Sequence, residues 1–179
     1  LEDGVEASER EAPAGILWPD WESPLSFLPL DGDEILSPDG ASKENPAEAA
    51  WVVKILMDFV ESGGLSLSQV GIVTPYAGQV RAIRDMLPEQ FQSVEVRTVD
   101  GYQGREKDVI IFSCVRSNID GNVGFLSDRR RLNVALTRSR RGLIVIGDPD
   151  TLSHNQDWSD WLEHIRSRKL EAWHLLGTA

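Results

Sequence analysis

The chain has 179 residues, 41% of them hydrophobic, which is enough to bury one sizeable core with an appendage, and its formal net charge is −11. Its longest apolar runs, such as Val109-Ile110-Ile111-Phe112 and Leu143-Ile144-Val145-Ile146, are far too short to cross a bilayer, so no membrane partner is expected. Cys114 is the only cysteine, which excludes an internal disulfide and a Cys-rich zinc site; no metal ligands are assigned.

The charge is unevenly spread. Residues 1–63 hold 15 acids and 3 bases, residues 64–147 hold 8 acids and 12 bases, and residues 148–179 hold 6 acids and 3 bases. Six arginines fall between Arg129 and Arg141. A basic middle is compatible with a phosphate-binding face, and equally with a solvated helix face; charge alone does not separate them. Leu1 in place of methionine, with no charged-then-apolar leader, leads us to expect a piece of a longer intracellular chain, cytoplasmic, nuclear or both.

Residues 1–24 are rich in acids and lack periodicity; they read as an extended lead-in pinned by Trp18 and Trp21, ahead of one domain over residues 25–176. Leu25 to Leu30 reads as a strand ended by Asp31-Gly32. After a Gly/Ser/Asp/Pro loop, Asn45-Pro46-Ala47-Glu48 offers an N-cap, a proline at the first helical position and a glutamate placed for a capping box. The helix that follows puts Ala49, Val52, Val53, Leu56, Phe59 and Val60 on one side and stops at Gly63-Gly64. Then come a strand at Val70–Thr74, a helix at Ala77–Leu87, strands at Val94–Val99 and Asp108–Val115, a helix at Asp128–Arg138 and a strand at Leu143–Gly147. Residues 157–168 form an amphipathic helix, and Leu170 to Leu176 reads as a final strand. Buried strands alternating with helices imply an α/β fold with a mostly parallel sheet and helices on both faces. Ligands on such sheets gather at the carboxyl ends of the strands.

Three segments carry unusual chemistry. In Gly71-Ile72-Val73-Thr74-Pro75-Tyr76-Ala77-Gly78-Gln79 a strand ends, proline turns the chain, and the amides of the next helix can face an anion while Tyr76 offers a base a stacking surface. An ordinary β–α turn reads the same way. In Thr98-Val99-Asp100-Gly101-Tyr102-Gln103-Gly104-Arg105-Glu106-Lys107-Asp108, two glycines and a crowd of charged and amide side chains exceed what a connecting loop needs. In Arg129 to Arg141, helical spacing aligns Arg131, Val134, Ala135 and Arg138, and an arginine among small residues needs an anionic partner, either a carboxylate or a phosphate. No Gly-x-x-x-x-Gly-Lys-Ser/Thr loop is present.

In this order the three segments resemble the second motor domain of superfamily 1 helicases, in the up-frameshift RNA helicase (regulator of nonsense transcripts) branch. The stretches that carry the resemblance are 72–79, 99–108 and 130–138, with Asp3-Gly4-Val5, Trp18-Pro19, Ser42, Asn45, Glu48 and Ala49. It covers nearly all of residues 1–175 and implies a RecA-like fold without its own phosphate loop. By resemblance, Gln103, Gly104, Arg105 and Glu106 touch the sugar and phosphates of ATP, and Arg138 reaches its γ-phosphate. Thr74, Pro75, Tyr76, Thr98 and Val99 lie along single-stranded RNA or DNA. The implied partner is the first motor domain of the same polypeptide, which would hold most of the Mg2+ coordination, in a monomer. The family's Gln-Tyr-Arg-Met-His-Pro segment and first motor domain are absent, and Leu87 to Val94 is shorter than in the up-frameshift helicase itself. Two rivals remain: an ATPase-dead nucleic-acid-binding module of the same fold, and a self-contained nucleotide enzyme, against which the missing phosphate loop argues.

Overall fold

The computed structural model describes residues 11–16 and 18–176. Asp3-Gly4-Val5 therefore lie outside the described residues. In chain order the strands are β1 (Leu25–Pro29), β2 (Ile35–Leu36), β3 (Lys43–Glu44), β4 (Val70–Thr74), β5 (Glu95–Thr98), β6 (Lys107–Ser113) and β7 (Ser139–Gly147). The helices are α1 (Pro46–Glu61), α2 (Ala77–Met86), α3 (Arg129–Leu136), α4 (Pro149–Leu152), α5 (Gln156–Ser167) and α6 (Trp173–Leu176).

Five strands form one sheet in the order β1-β7-β6-β4-β5, and every pairing in it is parallel. The short antiparallel pair β2–β3 stands apart. Side chains alternate across the sheet. Ile72, Ile111, Ile144 and Ile146 meet Val52, Leu56 and Phe59 of α1 and Ile83 of α2 on one face. Val73, Ile110, Phe112 and Val145 meet Leu132 of α3 and Trp158, Leu162 and Ile165 of α5 on the other. Both faces are covered, as near-continuous apolar strands require. Cys114 is buried, packed as a small hydrophobe.

Three expectations need correction. Leu170 to Leu176 is not a strand. Phe27 takes a bond from Ala172 and gives one to Leu170, a single parallel bridge at Glu171, before the chain coils into α6. Trp18 does pin the lead-in, buried against Phe59 with its indole N–H on the Pro13 carbonyl at 2.8 Å, but Trp21 is half exposed. The capping box of α1 is only half made. Asn45 Oδ1 accepts from Glu48 N at 3.1 Å, yet the Glu48 side chain turns inward instead of back to the cap.

There Glu48 Oε2 accepts from Ser113 Oγ at 2.6 Å and from Val115 N at 2.8 Å. Its other oxygen, Oε1, has no hydrogen-bond partner among the described residues. Complete burial pushes the Glu48 carboxyl up to about 8, against the pull of the Ser113 and Val115 bonds and helped by the charge of Asp148. The folded state thus holds a proton that the unfolded chain, titrating near 4.5, gives up. Stability from this group is complete below pH 4.5, declines as pH rises toward 8, and is flat above it. Glu48→Gln should remove that slope. In denaturant titrations at pH 5 and pH 8, the variant should gain on the wild type by more than about 1 kcal/mol between the two pH values. A constant offset would show that Glu48 is ionised in the fold.

Candidate functional site

Parallel strands give the sheet one amino edge and one carboxyl edge, and the chain crosses between them twice near the unusual residues. β5 ends at Thr98, level with Thr74 on the carboxyl edge. β6 begins at Lys107, which pairs with Ser139 at the amino edge. Residues 99–106 therefore run back over the sheet. Buried Tyr102 lies across β4 in this crossing, where a Cβ on Gly71 would come within 2.1 Å of its hydroxyl. α3 makes the second crossing, with Arg131 beside Asp100 near the carboxyl edge at 3.3 Å and Arg138 leading into β7 at the amino edge.

At the amino edge Gln103, Gly104, Arg105 and Glu106 are all exposed. Gly104 has φ +74, a left-handed conformation that glycine adopts without the steric penalty of a Cβ. Arg105 pairs with Glu95 of β5, which also meets Arg97 at 3.2 Å and Lys107 at 3.5 Å. Burial raises the Glu95 carboxyl, but these three cations outweigh it and hold it below the usual range. The chain of Arg138 is stitched to this loop: Lys107 N donates to the Arg138 carbonyl at 3.1 Å, and Arg140 Nε reaches Glu106 at 3.3 Å. The structure thus brings Gln103–Glu106 and the backbone of Arg138 together at the amino edge, and not at the carboxyl ends of the strands, where the sequence led us to expect them, because residues 99–106 and α3 both cross the sheet before β6 and β7 begin.

Arg138 does not belong to a helical stripe with Arg131. α3 ends at Leu136 with Thr137 as its C-cap, whose N–H and hydroxyl both bond the Asn133 carbonyl, and the chain then leaves for β7. The side chains of Val134 and Ala135 lie outside the described residues. Arg129, Arg131, Arg140 and Arg141 face Asp157, Asp100 and Asp128, Glu106, and Asp108 respectively. Much of the arginine cluster is therefore matched by carboxylates.

At the carboxyl edge the turns after β4 and β5 are joined by Val99 N on the Thr74 carbonyl at 3.0 Å. Thr74, Tyr76 and Val99 are buried, while Pro75 and Thr98 are half-buried. Tyr76, expected to offer a stacking face, is only 5% exposed. Its ring is covered by Phe125, with centroids 5.4 Å apart, and its hydroxyl accepts from Arg116 Nη1 at 3.2 Å. Nor are the first amides of α2 all open to an anion, since Gly78 N donates to Ser42 Oγ at 3.0 Å. Gln79 is a buried tie, accepting from Asn45 N at 2.8 Å and donating to Asn45 O and Ser113 Oγ.

Sequence reasoning missed two features here. Phe125 is a large aromatic left 55% exposed at this edge, and its only signal was an aromatic residue in a Gly-rich turn outside any periodic run. The second is the pair Arg116–Glu34, closed at 2.8 Å with both side chains nearly buried. Glu34 lies 82 residues from Arg116, and nothing local to either announces the pair. Among the described residues, no group of three or more His, Cys, Asp or Glu side chains could hold a metal ion.

Residues 1–150 match the AAA domain family. The chain is 42% identical over 177 residues to a regulator of nonsense transcripts 1 homolog from Drosophila melanogaster, covering 95% of this chain and 15% of that protein. It is 43% identical over 176 residues to the ATP-dependent helicase upf1 of Schizosaccharomyces pombe, covering 94% of this chain and 19% of the relative. With the ATP-dependent helicase NAM7 of Saccharomyces cerevisiae it shares 38% identity over 176 residues, covering 94% and 18%. The chain therefore spans less than a fifth of the length of each.

The Arg116–Glu34 pair yields a pH prediction. Burial raises the Glu34 carboxyl, but bonds from Arg116, Lys43, Asn118 and Ser117 outweigh it and bring it down to about 2. Stability from Glu34 is complete above its ordinary value of 4.5 and is lost as pH falls from there toward 2. Glu34→Gln should cost about 3 kcal/mol or more at pH 7, because Arg116 loses its counter-charge, and less at pH 3. Thermal or urea unfolding at both pH values checks this; a cost independent of pH would assign the loss to packing.

Proposed function

We propose, because the chain belongs to the AAA domain family, that it is the second motor domain of an ATP-dependent helicase, closing a two-domain ATPase site at its amino edge and gripping single-stranded RNA or DNA at its carboxyl edge. The observation that carries this reading is the amino-edge junction. Two motifs more than thirty residues apart meet there through Lys107 N on the Arg138 carbonyl and Arg140 on Glu106. The names of the relatives at 43% and 38% identity support ATP as the nucleotide.

The donor set suits a nucleotide shared with another domain. Arg105 and the backbone of Arg138 stand at one edge, and a guanidinium fork can meet phosphate oxygens bidentately. Exposed Gln103 and Glu106 supply polar groups for a sugar, and Gly104 lets the backbone come close. ATP supplies a phosphoryl group whose transfer to water spreads charge over its equatorial oxygens, and Arg138 neutralises that charge. A phosphate-cradling loop and most of the Mg2+ coordination belong to the first motor domain of the same polypeptide. The isolated chain accordingly hydrolyses no ATP, and calorimetry with a non-hydrolysable analogue and magnesium should detect no submicromolar binding.

At the other edge, Thr74–Tyr76 and Thr98–Val99 follow the strand mainly with their backbone and with Pro75 and Thr98. A strand held by its phosphates is read with little base preference and with strong dependence on salt.

The test is Arg138→Ala in the full-length helicase. Turnover should fall by about 10²-fold or more, while binding of a single strand without nucleotide and the melting temperature should stay near wild type. Arg138→Lys should restore only part of the rate, since an ammonium is a point charge and not a fork. A melting temperature and strand affinity that fall together with the rate would make Arg138 a structural counter-ion. A wild-type enzyme that binds strands without hydrolysing ATP would point to the ATPase-dead module.

A further inference from the structure

Deepening the reading of the carboxyl edge as the nucleic-acid face, we infer that Phe125 is the stacking platform for one unpaired base of the bound strand. With Tyr76 closed off, Phe125 is, among the described residues, the aromatic side chain at this edge that solvent reaches, 55% exposed. It adjoins the proposed strand path directly, sharing a small hollow with Pro75, Val99, Asp100, Arg131 and Leu132.

The ring sits on a turn that is fixed from several sides. Gly124 has φ +52, and a Cβ there would come within 2.0 Å of Arg116 Nη1 and 2.6 Å of the Tyr76 hydroxyl. The absence of a side chain at Gly124 therefore lets the turn lie down on Tyr76 and raise Phe125 above it. Below, Leu126 is fully buried and its carbonyl accepts from Trp158 Nε1 at 2.9 Å. Gly124 N bonds Asn122 Oδ1 at 3.0 Å, and Asp128 N bonds the Phe125 carbonyl at 3.2 Å. A ring held this way loses little further freedom when a base stacks on it, which is the condition for strong binding per contact.

The surroundings suit a base. The Arg131 guanidinium lies 5.7 Å from the ring centroid, set there by Asp100 at 3.3 Å and Asp128 at 3.5 Å. On the opposite flank a cavity of about 370 Å³, lined among others by Leu36, Ser42, Lys43, Arg116 and Phe125, lies within the size range of sites that accept small flat organic groups. The cations around it are met by carboxylates, Lys43 and Arg116 by Glu34 and Arg131 by Asp100 and Asp128, so what the pocket offers a base is an apolar seat beside the ring. Stacking on an aromatic ring is also indifferent to which base is presented, as a translocating grip requires.

The test uses the full-length helicase without nucleotide. Its probes are a fluorescein-labelled oligouridine RNA and the same strand built of abasic residues, both read by anisotropy across a salt series. Phe125→Ala and Phe125→Leu should each weaken binding of oligouridine roughly 5- to 150-fold, the range that loss of one stacked base implies. Binding of the abasic strand should be unchanged, and so should the slope with salt, because phosphate contacts are intact. Phe125→Trp should bind like wild type and show additional tryptophan quenching on oligouridine alone. Phe125→Leu binding oligouridine as tightly as wild type would overturn the proposal and leave the patch to a protein partner. Equal losses on both strands would overturn it too, making Phe125 a packing residue. If the wild type binds neither strand, or binds without salt dependence, the nucleic-acid reading of the whole edge fails instead.

Discussion

Everything at the carboxyl edge depends on a buried polar knot in which Glu48 holds the chain as it leaves β6. Val115 has φ +72, a conformation that a β-branched residue enters only at a cost of order 1–3 kcal/mol. Its amide is held there by Glu48 Oε2, which also takes the Ser113 hydroxyl. Asn45 and Gln79 complete the knot: Gln79 ties Asn45 of the α1 cap to Ser113, and Asn45 Nδ2 donates to the Val115 carbonyl at 3.2 Å. Two helices and the central strand are thus locked around one reversal of the chain. Arg116 follows immediately and is aimed by that reversal at Glu34 and the Tyr76 hydroxyl. The protonated state of Glu48 fits this role, since a neutral acid can be buried where an unpaired carboxylate cannot.

From that fixed edge two crossings lead to the other one. Residues 99–106 pass over β4 with Tyr102 buried beneath them, and α3 passes beside them with Arg131 at one end and Arg138 beyond the other. Arg131 to Asp100 joins the crossings near the carboxyl edge, and Lys107 to Arg138 joins them at the amino edge. The two crossings are thus tied to each other at both ends.

Much of this was legible in the sequence because its signals were local or periodic. Apolar runs of strand length at Val70, Val109 and Leu143, separated by helical periodicity, specify a parallel sheet covered on both faces, and the Asn45-Pro46 cap marks the start of α1. What was not legible came from contacts remote in sequence. Glu48 satisfies every local rule for a capping box and forsakes it for Ser113 and Val115, which lie more than sixty residues away. Tyr76 reads as an exposed aromatic at a turn until Gly124 lets Phe125 fold over it. Arg138 keeps helical spacing with Arg131 on paper, but the helix is already capped at Thr137 and β7 begins at Ser139. The spacing places residues on a common face only while the helix lasts.

The two edges also differ in how readily their charges change partners. At the carboxyl edge Arg116 and Glu34 are nearly buried, so separating them would strand a charge out of water at a cost of several kcal/mol. That pair is part of the frame. At the amino edge Arg140 and Glu106 are both half exposed or more, and an exposed pair of this kind is worth about 0–1 kcal/mol; Arg105 is nearly half exposed, though its partner Glu95 is largely covered. If this edge meets a nucleotide as proposed, an incoming triphosphate would displace such carboxylates at little expense and return the arginines to them when it leaves. On the reading proposed here, weak pairing at the nucleotide edge and strong pairing at the strand edge are two halves of one requirement. One edge must rearrange in every cycle, while the other must keep its shape as the strand moves past it.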